Sequence, residues 1–399
     1  MTYLYQKNNR YYAQVPGQME ALAEEELKSL GAVNCKVDYR GVYFEADKSV
    51  LYRINYQSRL ISRVLAPLIS FSCHTPSALI KSASEIEWEK FFGVDKTFAI
   101  TASVNKSTIT NSLYAAQALK DGIADYFRDK FGKRPNVNVS NPDVRFNLHI
   151  EKNFAIVSLD TSGDSLHKRG YRLLAGEAPM QETLAAAIIK ISNWDGENQL
   201  WDCMCGSGTI LCEAVMSYCR IPAQYLRKNF GFFYLPDFEK ELWKKIKSEA
   251  DGLMRPLPKG LIRGSDVSQR VIVTARENLS RIPYTENVEI FGQPFQHIKS
   301  FENGTLITNP PYGIRLGKIE DVQLLYKELG DFLKNSCKGT SAFIYMGDIS
   351  LRKHIGLRTS KRIPLVNGNL EGVLVNIESY EGSKKRKYRD NEKNDFLDA

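Results

Sequence analysis

The four residues Asn309-Pro310-Pro311-Tyr312 follow a short apolar run, Thr305 to Thr308, and carry the most specific chemistry in the chain. Two successive prolines lack backbone N–H groups and fix their own φ, so the turn is stiff and its carbonyls point away from neighbouring donors. Such a turn presents acceptors. An exocyclic amine on a nucleobase is a poor nucleophile, because its lone pair is delocalised into the ring. It becomes a competent one when acceptors hold its protons and the lone pair is turned out. The Asn309 side-chain oxygen and the Pro310 carbonyl suit that task, and Tyr312 offers a ring on which an extruded base can stack. Positioning then replaces a strong base. The bland alternative, a rigid turn that merely ends a strand, is disfavoured by its place: it falls where the motifs described next require a substrate loop.

A second constellation lies upstream, at Gln199-Leu200-Trp201-Asp202-Cys203-Met204-Cys205-Gly206-Ser207-Gly208-Thr209, running into the apolar stretch Ile210 to Met216. A short strand, a Gly-x-Gly turn and a helix N-terminus bring backbone close to a ligand. No Gly-Lys-Ser/Thr follows, which argues against a nucleoside triphosphate. The next strand, Gly260 to Arg263, runs into Gly264-Ser265-Asp266. An acidic residue there can accept from both hydroxyls of a ribose. Asp202 and Asp266 could instead be helix caps; their order on consecutive strands favours the cofactor reading. Cys203 and Cys205, with Cys212 and Cys219 behind them, lack zinc-pair spacing and have no nearby histidine, so packing is expected and no metal.

The bulk numbers set the frame. With 399 residues, 43% hydrophobic and 25% charged, the chain exceeds one ordinary core, and two or three domains are expected. The first ten residues are polar, and no stretch approaches the roughly 20 apolar residues that span a bilayer. A soluble, non-secreted protein without a membrane partner is expected, and scattered cysteines such as Cys35, Cys73 and Cys337 fit a reducing, cytoplasmic setting. A formal charge of +8 suits a protein that meets phosphate backbones. The tail from Ser383 to Ala399, basic then acidic, reads as a solvated disordered segment, with an RNA clamp as the alternative.

Before the cofactor motif the chain is organised as two α+β segments. Tyr11 to Val15 alternates as a strand, and Gln18 to Leu30 has helical spacing before Gly31. Asn34 to Asp38 and Gly41 to Ala46 read as strands, Val50 to Arg59 as a helix, and Leu60 to Phe71 as a final apolar stretch. The pattern restarts with a strand at Phe98 to Val104 and a helix at Leu113 to Phe131, stopped by Gly132 and Pro135. The strands Val144 to Glu151 and Phe154 to Asp160 then flank a Lys152-Asn153 turn. From Ala175 onward helices and strands alternate, which implies an α/β fold with a mostly parallel sheet and ligands at the C-terminal ends of its strands. The insert Arg220 to Trp243 carries Arg227, Lys228, Phe230, Phe232 and Phe233; its aromatics read as core or, alternatively, as RNA-stacking groups.

With Asn309 to Tyr312 placed after the glycine loop, the chain resembles the amino-methyltransferases. Ser165-Leu166-His167-Lys168-Arg169-Gly170-Tyr171-Arg172 and Ala178-Pro179-Met180-Gln181-Glu182-Thr183-Leu184-Ala185-Ala186-Ala187 resemble the linker of THUMP-domain RNA guanine-N2 methyltransferases. Lys120 to Asp125 and Gly132 to Pro135 look like the THUMP helix and the strand entry after it. The resemblance covers nearly the whole chain and is nearest to the N-terminal half of bifunctional bacterial 23S rRNA guanine-N2 methyltransferases, with the tRNA guanine-N2 enzymes next. It implies a ferredoxin-like domain at 1–72, a THUMP domain at 73–162, a Rossmann-like methyltransferase domain at 163–382 and the tail at 383–399. It also implies S-adenosyl-L-methionine as cofactor and structured RNA as partner, 23S rRNA first and tRNA second. By matching position, Pro179, Gln181, Glu182 and Thr183 would approach the methionine end of the cofactor. Asp202, Cys205, Gly206, Ser207 and Gly208 would form its loop, Asp266 and Val267 would lie at its nucleoside, and Asn309, Pro310, Pro311 and Tyr312 would hold the base. Two departures stand out: Cys203 where the family usually has proline, and Pro294 near a position that often holds an acidic residue for the adenine amine, for which Gln293 or backbone groups are the expected substitutes.

Three rival functions remain. Adenine-N6 DNA methyltransferases share the Asn/Asp-Pro-Pro-Tyr turn, but the N-terminal half is poor material for a base-reading domain. A protein glutamine methyltransferase also uses that turn and has no need of THUMP. A non-catalytic RNA-binding assembly factor is disfavoured by the intact turn and both acidic positions.

Overall fold

Alternating residues bury every second side chain of a strand against helices, and in the computed structural model, which describes residues 1–173, 180–312 and 319–379, this builds two separate sheets. In the first part of the chain α1 (Leu4–Asn8) precedes β1 (Arg10–Gln14), α2 (Glu20–Ser29), β2 (Val33–Asp38), β3 (Gly41–Glu45), α3 (Lys48–Gln57) and β4 (Arg63–Ser72). Then come α4 (Pro76–Ala83), β5 (Thr97–Asn105), α5 (Ser112–Phe131), β6 (Asn136–Val137), β7 (Val144–Glu151) and β8 (Phe154–Asp160). The polar-looking N-terminus thus contains a helix, whose Tyr5 is buried together with the preceding Tyr3. α5 starts where the Asn111 side chain accepts from the Tyr114 amide at 3.0 Å and ends at Gly132 with φ of 69°, an N-cap and a left-handed C-terminal stop.

The two α+β segments read from sequence are not closed off from each other. β4 and β8 pair antiparallel from Leu65 opposite Asp160 to Ser72 opposite Phe154, so one eight-stranded sheet runs β2-β3-β1-β4-β8-β7-β5-β6.

The second sheet begins after α6 (Glu182–Ser192), with β9 (Leu200–Asp202) and α7 (Thr209–Tyr218). The segment Ile221–Met254, expected in the catalytic domain, belongs instead to the compact unit of Met1–Gly170; the other unit comprises Tyr171–Arg220 and the chain from Arg255 onward. The inserted segment carries α8 (Lys240–Asp251) and contributes to the core of that first unit. Phe230 and Phe232 are buried, the Phe232 ring stacks on Tyr52 at 4.7 Å, and Trp243 meets Tyr56 edge-on at 5.3 Å. The insert aromatics are therefore core.

The second unit continues with β10 (Ile262–Ser265), two residues later than expected, then α9 (Gln269–Leu279), β11 (Glu289–Phe291), β12 (Thr305–Thr308) and α10 (Ile319–Ser336). β13 (Ser341–Met346), α11 (Arg352–Ile355), β14 (Lys361–Asn367) and β15 (Leu370–Glu378) complete it. Its seven strands run β11-β10-β9-β12-β13-β15-β14. All pairs from β11 to β13 are parallel, and β15 and β14 add an antiparallel edge. This is the Rossmann-like α/β fold. Successive strands step outward from β9 to β11, and the chain then returns to lay β12 on the other side of β9. The strand order therefore reverses between β9 and β12, and a crevice opens beyond their C-terminal ends. No described helix is long and apolar enough to cross a membrane.

Candidate active site

A cavity of about 1260 Å³ lies at that reversal. Its walls come from the loop after β9 (Asp202, Cys203, Met204, Cys205, Gly206 and Ser207), from Asp266, Val267 and Ser268 after β10, from Pro294, Phe295 and Gln296, and from Asn309, Pro310 and Pro311 after β12. Met180 and α10 close the remaining sides. The fold thus brings together both halves of the chemistry read from sequence.

The loop after β9 is held from two directions. Gly206 has φ of 51°, and a Cβ placed there would meet no protein atom within 4 Å; the residue needs left-handed freedom and leaves its cavity side open. Its amide donates to Asp266 Oδ2 at 3.0 Å, and the Ser268 amide donates to Oδ1 at 2.9 Å. Asp266 therefore braces the loop and its own turn together. The N-cap positions are held by other residues, Gly208 at α7 and Ser268 at α9, neither with a side-chain cap hydrogen bond. A carboxylate has about four lone-pair positions, so Asp266 keeps acceptor capacity for a diol. Val267 beside it is exposed on the cavity wall. The Ser207 carbonyl accepts from Asn278 Nδ2 at 2.9 Å.

Asp202 is 1% exposed. Its Oδ1 accepts from the Thr308 hydroxyl at 2.9 Å and from the Met204 amide at 3.2 Å. Burial pushes its pKa up to about 7; these two donors oppose the rise and the Asp266 carboxylate adds to it. Thr308 is fully buried and immediately precedes Asn309, so this hydrogen bond ties the loop after β9 to the turn after β12.

Asn309 is half-buried, and its Oδ1 is enclosed and has no hydrogen-bond partner. A buried amide oxygen without a donor is expensive unless a ligand supplies one. Tyr312 does not border the cavity. Its ring packs against the apolar cluster under β12, β13 and α10 and over Gly347, where an added Cβ would fall 2.3 Å from Tyr312 Cε2. Gly347 was not foreseen; a glycine directly after a buried strand, β13, was the available signal.

The residues expected at the methionine end divide. Pro179 lies outside the described residues, and of its neighbours Met180 lines the cavity whereas Gln181, Glu182 and Thr183 do not. Gln181 donates its amide to Asn367 Oδ1 at 2.9 Å. Thr183 is fully buried, with its hydroxyl unpartnered. Glu182 pairs with Arg172 Nε at 3.1 Å, and the same guanidinium donates to the Met180 carbonyl and to Thr209 Oγ1, each at 3.0 Å. Arg172 thereby fixes the chain beside the cavity, a role with no local signature.

At the opposite end, Gln293 is absent from the cavity wall, whereas Gln296 borders it and donates from Nε2 to Glu328 Oε2 at 2.6 Å. α10 therefore brings the Glu328 carboxylate to the stretch that follows Pro294. Cys203 is buried in the apolar cluster, and Cys212 and Cys219 are fully buried in the helical layer. Among the described residues no group of His, Cys, Asp and Glu could hold a metal ion.

An open Gly206 cradle, a carboxylate with spare acceptors at the next strand and an enclosed orphan acceptor on the strand beyond fit S-adenosylmethionine next to an amine-bearing substrate. Fold and site define an S-adenosylmethionine-dependent methyltransferase. Residues 169–376 match the family described as RMKL-like, methyltransferase domain, residues 73–160 the THUMP domain and residues 10–65 the RlmL ferredoxin-like domain. The chain belongs to the RMKL-like methyltransferase family. It is 37% identical over 371 residues to a provisionally named RNA methyltransferase of Synechocystis, covering 93% of this chain and 97% of that protein. It is 39% identical over 382 residues to the ribosomal RNA large subunit methyltransferase K/L of Psychromonas ingrahamii, covering 94% of this chain and 50% of that protein. The chain thus spans about half the length of the K/L relatives it matches. A crystal structure of a provisionally named methyltransferase with SAH superposes with a TM-score of 0.82 at 28% identity, covering 94% of this chain and 99% of that one. A Listeria monocytogenes protein described as a predicted N6-adenine-specific DNA methylase superposes with a TM-score of 0.80 at 27% identity, covering 94% and 97%.

Two outcomes follow from this geometry. The sulfonium and ammonium of the cofactor favour an ionised Asp202, whose carboxyl holds its proton below about pH 7. Binding below that pH must release the proton, so calorimetric affinity should rise with pH, by at most about tenfold per unit, and level off above about pH 7. Asp202→Asn should flatten that profile. Gly347→Ala should displace the Tyr312 ring and lower turnover by about tenfold to a hundredfold with cofactor affinity unchanged. Combined with Tyr312→Ala it should cause little additional loss, the non-additivity of two changes at one contact.

Proposed function

We propose that this chain methylates the exocyclic N2 of a guanine in RNA, with large-subunit ribosomal RNA as the substrate. The observation that carries the reading is the enclosed, unpartnered Asn309 Oδ1, one residue beyond the strand tied to the cofactor loop. A guanine amino group offers two N–H donors. Asn309 Oδ1 accepts one and the Pro310 carbonyl the other, which turns the nitrogen lone pair toward the cofactor side of the cavity. The cofactor supplies an electrophilic methyl group. The N–CH3 bond forms as the S–CH3 bond breaks, S-adenosylhomocysteine is the leaving product, and the alkylated nitrogen sheds one proton to solvent. The Tyr312 ring, packed on the apolar cluster and over Gly347, stiffens the turn that presents the two acceptors.

The THUMP match and relatives named for large-subunit ribosomal RNA support RNA as the substrate. The Listeria neighbour's description is the specific ground for a second reading, methylation of adenine N6 in DNA. Either amine fits an acceptor pair, so the modified nucleoside decides. Asn309→Ala should suppress methyl transfer by at least about a hundredfold while calorimetric affinity for S-adenosylmethionine changes little, since Asn309 serves the amine. Nucleoside mass spectrometry of RNA methylated by the purified chain should show N2-methylguanosine. N6-methyladenosine as the main product, in RNA or DNA, would move the assignment to the rival, and full activity in Asn309→Ala would show that the chemistry lies on another loop.

A further inference from the structure

Among the described residues of the catalytic unit, the turn after β13 and the edge strand β14 form a one-sided charged segment. From Arg352 to Arg362 the chain carries Arg352, Lys353, Arg358, Lys361 and Arg362, and no acidic residue occurs between Asp348 and Glu371. Lys353, Arg358, Lys361 and Arg362 are exposed. None of the five forms an ion pair with another described residue, whereas elsewhere in the same unit Arg172 pairs with Glu182 and Arg263 with Glu289. Like charges at this density repel one another unless a polyanion screens them.

Its place gives the segment a direction. Lys353 lines a groove of about 560 Å³ between α10 and the turn at 353–357, and the facing side of α10 adds Lys327 and Lys334 against Glu320 and Asp331. Leu324 borders both this groove and the cofactor cavity. At its start the segment lies five residues beyond Gly347, the glycine under the Tyr312 ring. A nucleic acid strand whose base enters the cavity would therefore meet this face next with its phosphates.

We infer that the α10 groove and the Arg352–Arg362 segment form a phosphate-binding track for the RNA strand that flanks the target base. On this account the catalytic unit holds backbone as well as one base. The inference rests on the reading of RNA as substrate.

The test uses the full chain carrying Lys353→Ala, Arg358→Ala and Lys361→Ala, with deproteinised large-subunit ribosomal RNA as the probe, titrated between about 0.05 and 0.3 M salt. Affinity should fall at least about tenfold at the lower salt, and the slope of log K against log salt should become shallower by about two, from about 0.7 per lost contact to single-stranded RNA. Arg281→Ala, Lys299→Ala and Lys338→Ala, three cations of the same unit away from the groove, should leave the slope near its original value. Calorimetry with S-adenosylmethionine reports folding; if the triple variant fails it, Lys353→Ala and Arg358→Ala alone should each reduce the slope by about 0.7. An unaltered chain that binds and methylates RNA, beside a triple variant with the same slope, would overturn the track and leave the RNA reading standing. An unaltered chain that neither binds nor methylates RNA would overturn both.

Discussion

The hydrogen bond from the Thr308 hydroxyl to the buried Asp202 carboxylate, 2.9 Å long and spanning 106 residues of sequence, sits where the sheet reverses its order. β9 ends in the loop proposed to hold the cofactor and β12 in the turn proposed to hold the substrate, and the two strands are adjacent only because the chain returns across the sheet after β11. Parallel pairing aligns their backbones. It does not by itself set the distance between the two loops, because the β9–β12 pairing stops at Trp201 and Leu306, before Asp202 and Thr308. The Asp202–Thr308 contact supplies that restraint, and burial makes it matter: a carboxylate removed from water must find donors or take a proton.

Other features of the site extend the same bracing. Asp266 carries the restraint outward from β10 by holding the Gly206 amide, so the cofactor loop is gripped by carboxylates on both sides. Arg172 ties the chain before α6 to Glu182, to the Met180 carbonyl and to Thr209 at the start of α7. Gly347 lets the Tyr312 ring lie flat on the backbone after β13. Against this framework the enclosed side-chain oxygen without a partner on the turn after β12, Asn309 Oδ1, is the acceptor that the proposed function assigns to the reacting amine. Sites that act by positioning need such preorganised groups more than they need a strong base.

What could be read in the sequence was local. The Asn309 to Tyr312 turn, the positive-φ glycine loop, the carboxylate after the next strand and most of the longer strands and helices of the first unit, though not α1, α4 or α8, declare themselves through residues close in sequence, by alternation, capping or the special backbone of glycine and proline. The rest depends on contacts between distant segments. Nothing in the periodicity of Arg63 to Ser72 announces that it pairs with Phe154 to Asp160 and merges two α+β segments into one sheet. The insert at 221–254 shows aromatic spacing without revealing that its rings pack on Tyr52 and Tyr56. Gln181, Glu182 and Thr183 were placed at the cofactor by resemblance. None of the three is among the residues that line the cavity, and the Glu182 carboxylate is paired with Arg172.

The central claim is that the Asp202–Thr308 hydrogen bond couples the two loops, and Thr308→Val tests it most directly because it removes the hydroxyl with little change in side-chain volume. Paired measurements of S-adenosylmethionine affinity and single-turnover methyl transfer should show both falling together, affinity by the roughly 1.5–3 kcal/mol typical of a hydrogen bond to a charged group, with Thr308→Ser restoring most of each. A folded Thr308→Val chain that binds the cofactor and transfers methyl groups at the original levels would contradict the account.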